Sequence, residues 1–140
     1  MIKKGNLLSE GKAKSLFETE KHEELLMVYR DDTSAFDGKK KEALKGKGEI
    51  NNIFNAHIMD YLANNGVETH HLKTVSENES LVQRLDMLPV ECVVRNIATG
   101  SICRRLGVEQ GLNFEEPLFE FFLKDDDLGD PLINDNHIIA

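Results

Sequence analysis

The chain has 140 residues, 40% hydrophobic and 30% charged, which is the balance of an ordinary folded domain with a core and fits neither disorder nor a fibrous repeat. Its net charge of −8 resides at one end: residues 109–140 carry nine acids against one lysine, Lys124, so the first 108 residues balance at 16 acidic against 16 basic. That distribution argues against a nucleic-acid-binding face, which needs a local excess of Lys and Arg, and leaves small anions as ligands for local clusters.

The apolar runs are short pieces such as Leu25 to Val28, far below the roughly 20 residues of a membrane helix. Basic residues at Lys3 and Lys4 have no apolar stretch behind them, so no secretory signal is expected and the cytoplasm is the expected compartment. Cys92 and Cys103 lack a Cys-x-x-Cys spacing and read as reduced structural thiols.

Taken in order, Leu7-Leu8, Ser15 to Phe17 and Leu25 to Tyr29 predict three short strands in an antiparallel meander. Asp31 to Gly48 is polar and Lys-rich, with no clear periodicity, and predicts a long functional loop. Ile50, Ile53, Phe54, His57, Ile58, Tyr61 and Leu62 recur at helical steps and predict an amphipathic helix stopped at Asn64-Asn65-Gly66. Val67 to Lys73, Ser80 to Leu85 and Val90 to Asn96 predict three more strands. Ser101 to Leu106 predicts a short helix with Ser101 as N-cap and Gly107 closing it. Phe114 to Leu123 is apolar but studded with acids, and Lys124 to Asp130 reads as a polar loop. The fold class expected is α+β, with a mostly antiparallel sheet and one long helix.

Three stretches carry chemistry. Glu10-Gly11-Lys12-Ala13-Lys14 lies between two strands, where a glycine admits a phosphate and two lysines neutralise it; taken by itself the stretch reads first as a hairpin turn with solvated lysines. Arg30 to Gly38 is dense in hydroxyls and carboxylates and suits an amino acid's two charged ends, or an Asx-rich turn. Leu88 to Ser101 runs from a strand through a glycine turn into a helix, with Arg95 expected to project at the strand's end. Helix N–H groups, the Ser101 hydroxyl and a guanidinium fork together suit a phosphate or carboxylate, while Val90 to Arg95 also suits a plain buried strand. Asp125-Asp126-Asp127 reads as a water-facing loop before a magnesium site, and the histidines have no zinc spacing.

The Leu88 to Ser101 stretch resembles the signature of the SAICAR synthetase family throughout its length. Gly11 to Lys14, Asp32 to Gly38, Asn51-Asn52, Leu85-Asp86-Met87 and Phe122-Leu123-Lys124 match that family's segments in the same order. The resemblance implies an ATP-binding lobe over residues 1–87 and the start of a second, ribotide-binding lobe over residues 88–140, with the active site between lobes in the full enzyme. It implies ATP- and Mg2+-dependent ligation of L-aspartate to a carboxylated aminoimidazole ribotide through an acyl phosphate, giving the succinocarboxamide of purine (IMP) biosynthesis.

By the same carry-over, Gly11, Lys12, Ala13 and Lys14 lie under the ATP phosphates. Val82, Leu85 and Met87 line the adenine, and Lys124 with Asp126 approaches the nucleotide. Arg95 and Ser101 grip the ribotide, Ser34 and Asp37 belong to the loop closing on the reacting centre, and Lys14 and Asp37 take the catalytic roles. The family's second signature, an Asp-x-Lys-x-Glu-x-Gly strand with a metal-binding acidic segment, has no counterpart here, so no residue of this chain is assigned to metal. A homo-oligomer of the full-length enzyme is expected, with neither nucleic acid nor membrane as partner. The rival reading is a non-catalytic fragment that binds nucleotide or ribotide without turnover; a pure interaction protein using the acidic end leaves the upstream motifs without purpose.

Overall fold

The computed structural model describes residues 2–35 and 40–140. The fold is α+β, and the chain divides into two compact units, residues 1–86 and 87–140. Among the described residues no helix is long and apolar enough to cross a membrane.

The first unit holds β1 (Leu7–Glu10), β2 (Lys14–Glu18), β3 (Glu24–Tyr29), β4 (Asp32–Ala35), β5 (Lys40–Ala43), α1 (Lys47–Asn64), β6 (His71–Ser76) and β7 (Glu79–Gln83). Five of these strands form an antiparallel sheet in the order β1-β2-β3-β7-β6. Central β3 has buried side chains on both sides, which is why Leu25 to Tyr29 reads as a continuous apolar run and not as an alternation. Leu25, Met27 and Tyr29 cluster with Val82 and Leu16, while Leu26 and Leu81 are buried on the opposite side.

Helix α1 forms where its period predicts, but its facing differs from the expectation. Ile50, Ile53, Phe54 and Tyr61 are exposed, and fully buried Asn52 faces the sheet instead. The cause is hydrogen bonding. Asn52 Nδ2 donates to the carbonyls of Ser76 (3.0 Å), Glu77 (3.1 Å) and Glu79 (3.3 Å), around the β6–β7 turn, while its Oδ1 accepts from Ser80 Oγ (2.6 Å). Gly48 is equally directive: a Cβ there would lie 2.7 Å from Tyr29 O, so only glycine lets α1 start this close to the end of β3. The helix has no N-cap side chain of its own; Asp31 serves from outside, accepting from Gly48 N (2.9 Å) and Gly46 N (3.2 Å).

Two further expectations are corrected. Within the predicted loop Asp31 to Gly48, β4 and β5 pair as a hairpin, Asp32 opposite Ala43 and Ser34 opposite Lys41. The strand expected from Val67 starts at His71, because Val67 N donates to Leu62 O (3.0 Å) and so finishes the end of α1.

The second unit holds β8 (Val90–Ile97), α2 (Ser101–Leu106), β9 (Asn113–Leu123), β10 (Leu132–Ile133) and α3 (Asp135–Ile139). Its antiparallel sheet runs β10-β9-β8. Ala98 and Ile102 are its buried apolar residues. Gly100, at φ 69° and ψ −131°, takes the N-cap position predicted for Ser101, which becomes the first helical residue and makes no capping bond. Gly107 closes α2 in the left-handed region as expected. Strand β10 and helix α3 are additions to the predicted elements; Asn134 and His137 cap α3 reciprocally, through Asn134 Oδ1 and His137 Nδ1.

Candidate functional site

The glycine-lysine stretch is the turn joining β1 to β2. Gly11 N donates to Lys14 O (2.9 Å), closing it, and the side chains of Lys12 and Lys14 are exposed. A Cβ on Gly11 would make only ordinary contact, 3.8 Å from Lys14 O, so the turn itself does not require glycine.

Arg30, at the end of β3, fixes this turn from behind. Its backbone N donates to Ala13 O (2.8 Å) and its Nη2 to Gly11 O (2.7 Å), while Nη1 donates to Ser15 Oγ and lies 3.4 Å from Lys14 O. Asp32 accepts from Nε (2.7 Å), and Glu10 stands 3.4 Å from Nη1. One guanidinium thus holds the carbonyls of the turn inward. In the sequence Arg30 opens the stretch suited to an amino acid; its hold on the glycine-lysine turn was not expected.

His70 is half-buried just before β6, its carbonyl accepting from Gln83 N (2.7 Å). Burial first, then the positive charge of Lys14 and the neighbouring His71, hold its imidazole below the usual histidine range. Val82 is a core residue of the first unit, 2% exposed, whereas Leu85 and Met87 are exposed at and just beyond its end. The backbone of Ser34 is paired within β4–β5; Asp37 lies outside the described residues. A cavity of about 430 Å³ in the first unit opens between Tyr29, Arg30, Asp31, Lys45, Glu49 and Asn78 and is lined by none of the predicted ligands.

In the second unit Arg95 does not project freely, as the sequence suggested. Its Nε donates to Glu120 Oε2 (2.6 Å), and the two side chains are 17% and 13% exposed. The reason is register: Glu120 is opposite Val93, one step diagonal from Arg95 on the same side of the sheet. Arg105, from the last turn of α2, pairs with the other Glu120 oxygen and stands 5.5 Å over the Phe122 ring. Two guanidiniums therefore share one carboxylate, which leaves this cluster one positive charge in excess. Ser101 is half-buried at the start of α2.

Lys124 is held between two acids, with Nζ 2.8 Å from Asp130 Oδ2 and 3.4 Å from Glu91 Oε2. The bond to Asp130 raises its pKa, so the ammonium stays charged. In the acidic run Asp125 Oδ1 accepts from Leu128 N (3.1 Å). Among the described residues no three His, Cys, Asp or Glu side chains converge as a metal site.

The profile of the SAICAR synthetase family matches residues 7–140. A phosphoribosylaminoimidazole-succinocarboxamide synthase from Alcanivorax borkumensis is 64% identical over 137 residues, 98% of this chain and 58% of that protein. The crystal structure of the synthase of that name from Ehrlichia chaffeensis superimposes with a TM-score of 0.91 at 34% identity, covering 96% of this chain and 56% of the other. A SAICAR synthetase in complex with ADP gives 0.88 at 39% identity, over 94% and 56%. The chain spans a little over half the length of the relatives it matches.

Proposed function

This chain belongs to the SAICAR synthetase family, and from that membership we propose that it supplies nucleotide- and ribotide-binding parts of an ATP-dependent ligase joining L-aspartate to the carboxylate of an aminoimidazole ribotide. The first unit takes the nucleotide. Lys12 and Lys14 meet the phosphates, Ala13 and Gly11 bring the backbone close, and Val82, Leu85 and Met87 are the residues assigned to the adenine. What supports this reading is the turn itself: its carbonyls are tied back by Arg30, its two lysines point to solvent, and its glycine answers no steric need of the fold. A phosphate approaching the backbone is one reason for a glycine there.

The second unit takes the ribotide through Arg95 and Ser101. Glu120 holds the Arg95 guanidinium in one orientation, and with Arg105 nearby the cluster keeps the net positive charge a phosphate needs. Chemically, a carboxylate resists attack by an amine until it is phosphorylated, and phosphoryl transfer needs fixed positive charge where negative charge gathers. Lys14 is cast in that role, with Ser34 and Asp37 at the reacting centre, and positioning of the reactants supplies much of the rate. In this reading the magnesium ligands belong to the part of the relatives that the chain does not match. The reading carries with it purine biosynthesis as the setting, a cytoplasmic location, small-molecule partners without nucleic acid or membrane, and homo-oligomers of the longer enzyme.

Calorimetric titration with ATP and magnesium tests the binding half: heat that disappears in Lys12→Ala/Lys14→Ala supports it, and no heat at millimolar nucleotide ends it. The rival reading for these 140 residues is binding of nucleotide or ribotide without turnover. Incubation with ATP, aspartate and the carboxylated ribotide separates the two by phosphate release.

A further inference from the structure

Ser101 and Arg105 are four residues apart on α2, so they lie on one face of the helix, about a turn from each other. The fold holds that helix firmly. Ile102 is fully buried, and Gly100 and Gly107, both at positive φ, bound it at either end. Arg105 adds a tether of its own, pairing with Glu120 of β9 and standing 5.5 Å over the Phe122 ring.

Paired residues of an antiparallel ladder point the same way and successive residues alternate. Val93 and Arg95 of β8 therefore share a side of the sheet with Leu118, Glu120 and Phe122 of β9, the side that receives Arg105. The other side carries Val94 and Phe119, both exposed. Glu120 gives one oxygen to each arginine: Oε2 accepts from Arg95 Nε (2.6 Å), and Oε1 accepts from Arg105 Nη2. The bond to Arg95 uses the nitrogen nearest the main chain. Arg95 Nη1 reaches Thr99 O at 3.5 Å, and among the described residues Nη2 meets no acceptor, so the outer edge of the guanidinium remains for an anion.

On the reading of Arg95 and Ser101 as the ribotide's grip, we infer that Arg105 and Glu120 are positioning residues, a brace in which Arg105 holds Glu120 and Glu120 holds Arg95. A lone acid beside an anion receptor repels the anion. Here Glu120 is neutralised by Arg105, and its remaining effect is to set the angle of the Arg95 fork. A fork already held in place loses less side-chain freedom on meeting a phosphate than a free one does. Because Arg105 stands on the helix that carries Ser101, the same ion pair also ties α2 to the strands beneath Arg95.

Glu120→Gln separates positioning from charge, because the two predict opposite signs. By charge alone, losing an acid next to an anion receptor tightens ribotide binding; by loss of the brace, binding weakens. Calorimetric titration of the carboxylated ribotide into the full chain is expected to give a Kd roughly tenfold weaker for Glu120→Gln, with most of the loss recovered in Glu120→Asp, which restores the charge. Arg105→Gln is expected to weaken binding to a similar extent, yet to add less than about twofold once Glu120→Gln is present, since it acts through Glu120. Urea unfolding checks that each variant folds; should Glu120→Gln not fold, Arg105→Lys, which keeps the charge and loses the fork, is expected to show the same weakening. Unchanged or tighter binding by Glu120→Gln overturns the inference. So does a further loss of about tenfold when Arg105→Gln is added to Glu120→Gln, which would make Arg105 a direct contact. Both results leave the ribotide reading standing, whereas no binding by the parent chain ends that reading and the brace with it.

Discussion

The two units differ in how far their strands are enclosed. In the first, the four-to-six-residue strands of a five-stranded sheet carry buried side chains on both sides of β3. In the second, β8 and β9 are longer, eight and eleven residues, and are paired without a break from Val90 to Arg95, yet one side of the sheet is apolar and uncovered. Ladder hydrogen bonds alone therefore do not finish a domain. What separates the units is the covering of faces, because burial of apolar area is the dominant favourable term and backbone pairing replaces bonds to water at little net gain.

That contrast breaks most readily at Leu26 and Val94. Leu26→Ala in the buried strand is expected to cost about 3 kcal/mol in urea unfolding followed by circular dichroism, whereas Val94→Ala should lie within about 0.5 kcal/mol of the parent. Equal losses would mean the second unit's face is covered after all. Asn52→Ala falls next, at about 2 kcal/mol, since it strips donors from the carbonyls of Ser76, Glu77 and Glu79 and the acceptor from Ser80.

The ligand-facing residues sharpen the comparison by assigning one anion to each unit. Arg30→Lys keeps the charge but loses the fork that holds Gly11 O and Ser15 Oγ, so ATP affinity should weaken by about 1–2 kcal/mol while adenosine binding is unchanged. Arg95→Lys should weaken ribotide binding by roughly 1–3 kcal/mol and leave ATP binding alone. Calorimetry with each ligand reads both; equal loss of both ligands in either variant would point to damaged folding and not to separate receptors.

How much of this was legible beforehand follows the kind of signal. The period of α1, its stop at Asn65-Gly66 and the run of β3 are local patterns, and they appear where the sequence put them. The facing of α1 was not legible, because it is decided by Asn52 reaching carbonyls some 25 residues away in sequence. Apolar residues at helical spacing fix which side of a helix is apolar, not that this chain's own sheet covers it. The partner of Arg95 was equally hidden, since Glu120 becomes its neighbour only once β8 and β9 take their register. The β4–β5 hairpin was masked by lysines, which lower strand propensity without preventing pairing. Candidate ligands were readable as motifs; Arg30 was read as the start of one, but its hold on the lysine turn was not legible, because that role lies in backbone carbonyls that no motif records.

The smallest expected effect concerns pH and again belongs to the enclosed unit. His70 is half-buried with Lys14 and His71 adding positive charge, so its folded-state pKa is below the ordinary value of 6.5. The unfolded chain therefore binds a proton at higher pH than the folded one, and stability rises with pH across that interval. Above about pH 6.5 both states hold a neutral imidazole and the full stability is present; on acidification it is lost as the pH falls towards the folded-state pKa. His70→Asn removes this dependence. Thermal unfolding between about pH 7.5 and pH 5.5 should show a shallower fall in Tm for the variant than for the parent, and identical slopes would mean that the histidine is as well solvated in the folded unit as in the unfolded chain.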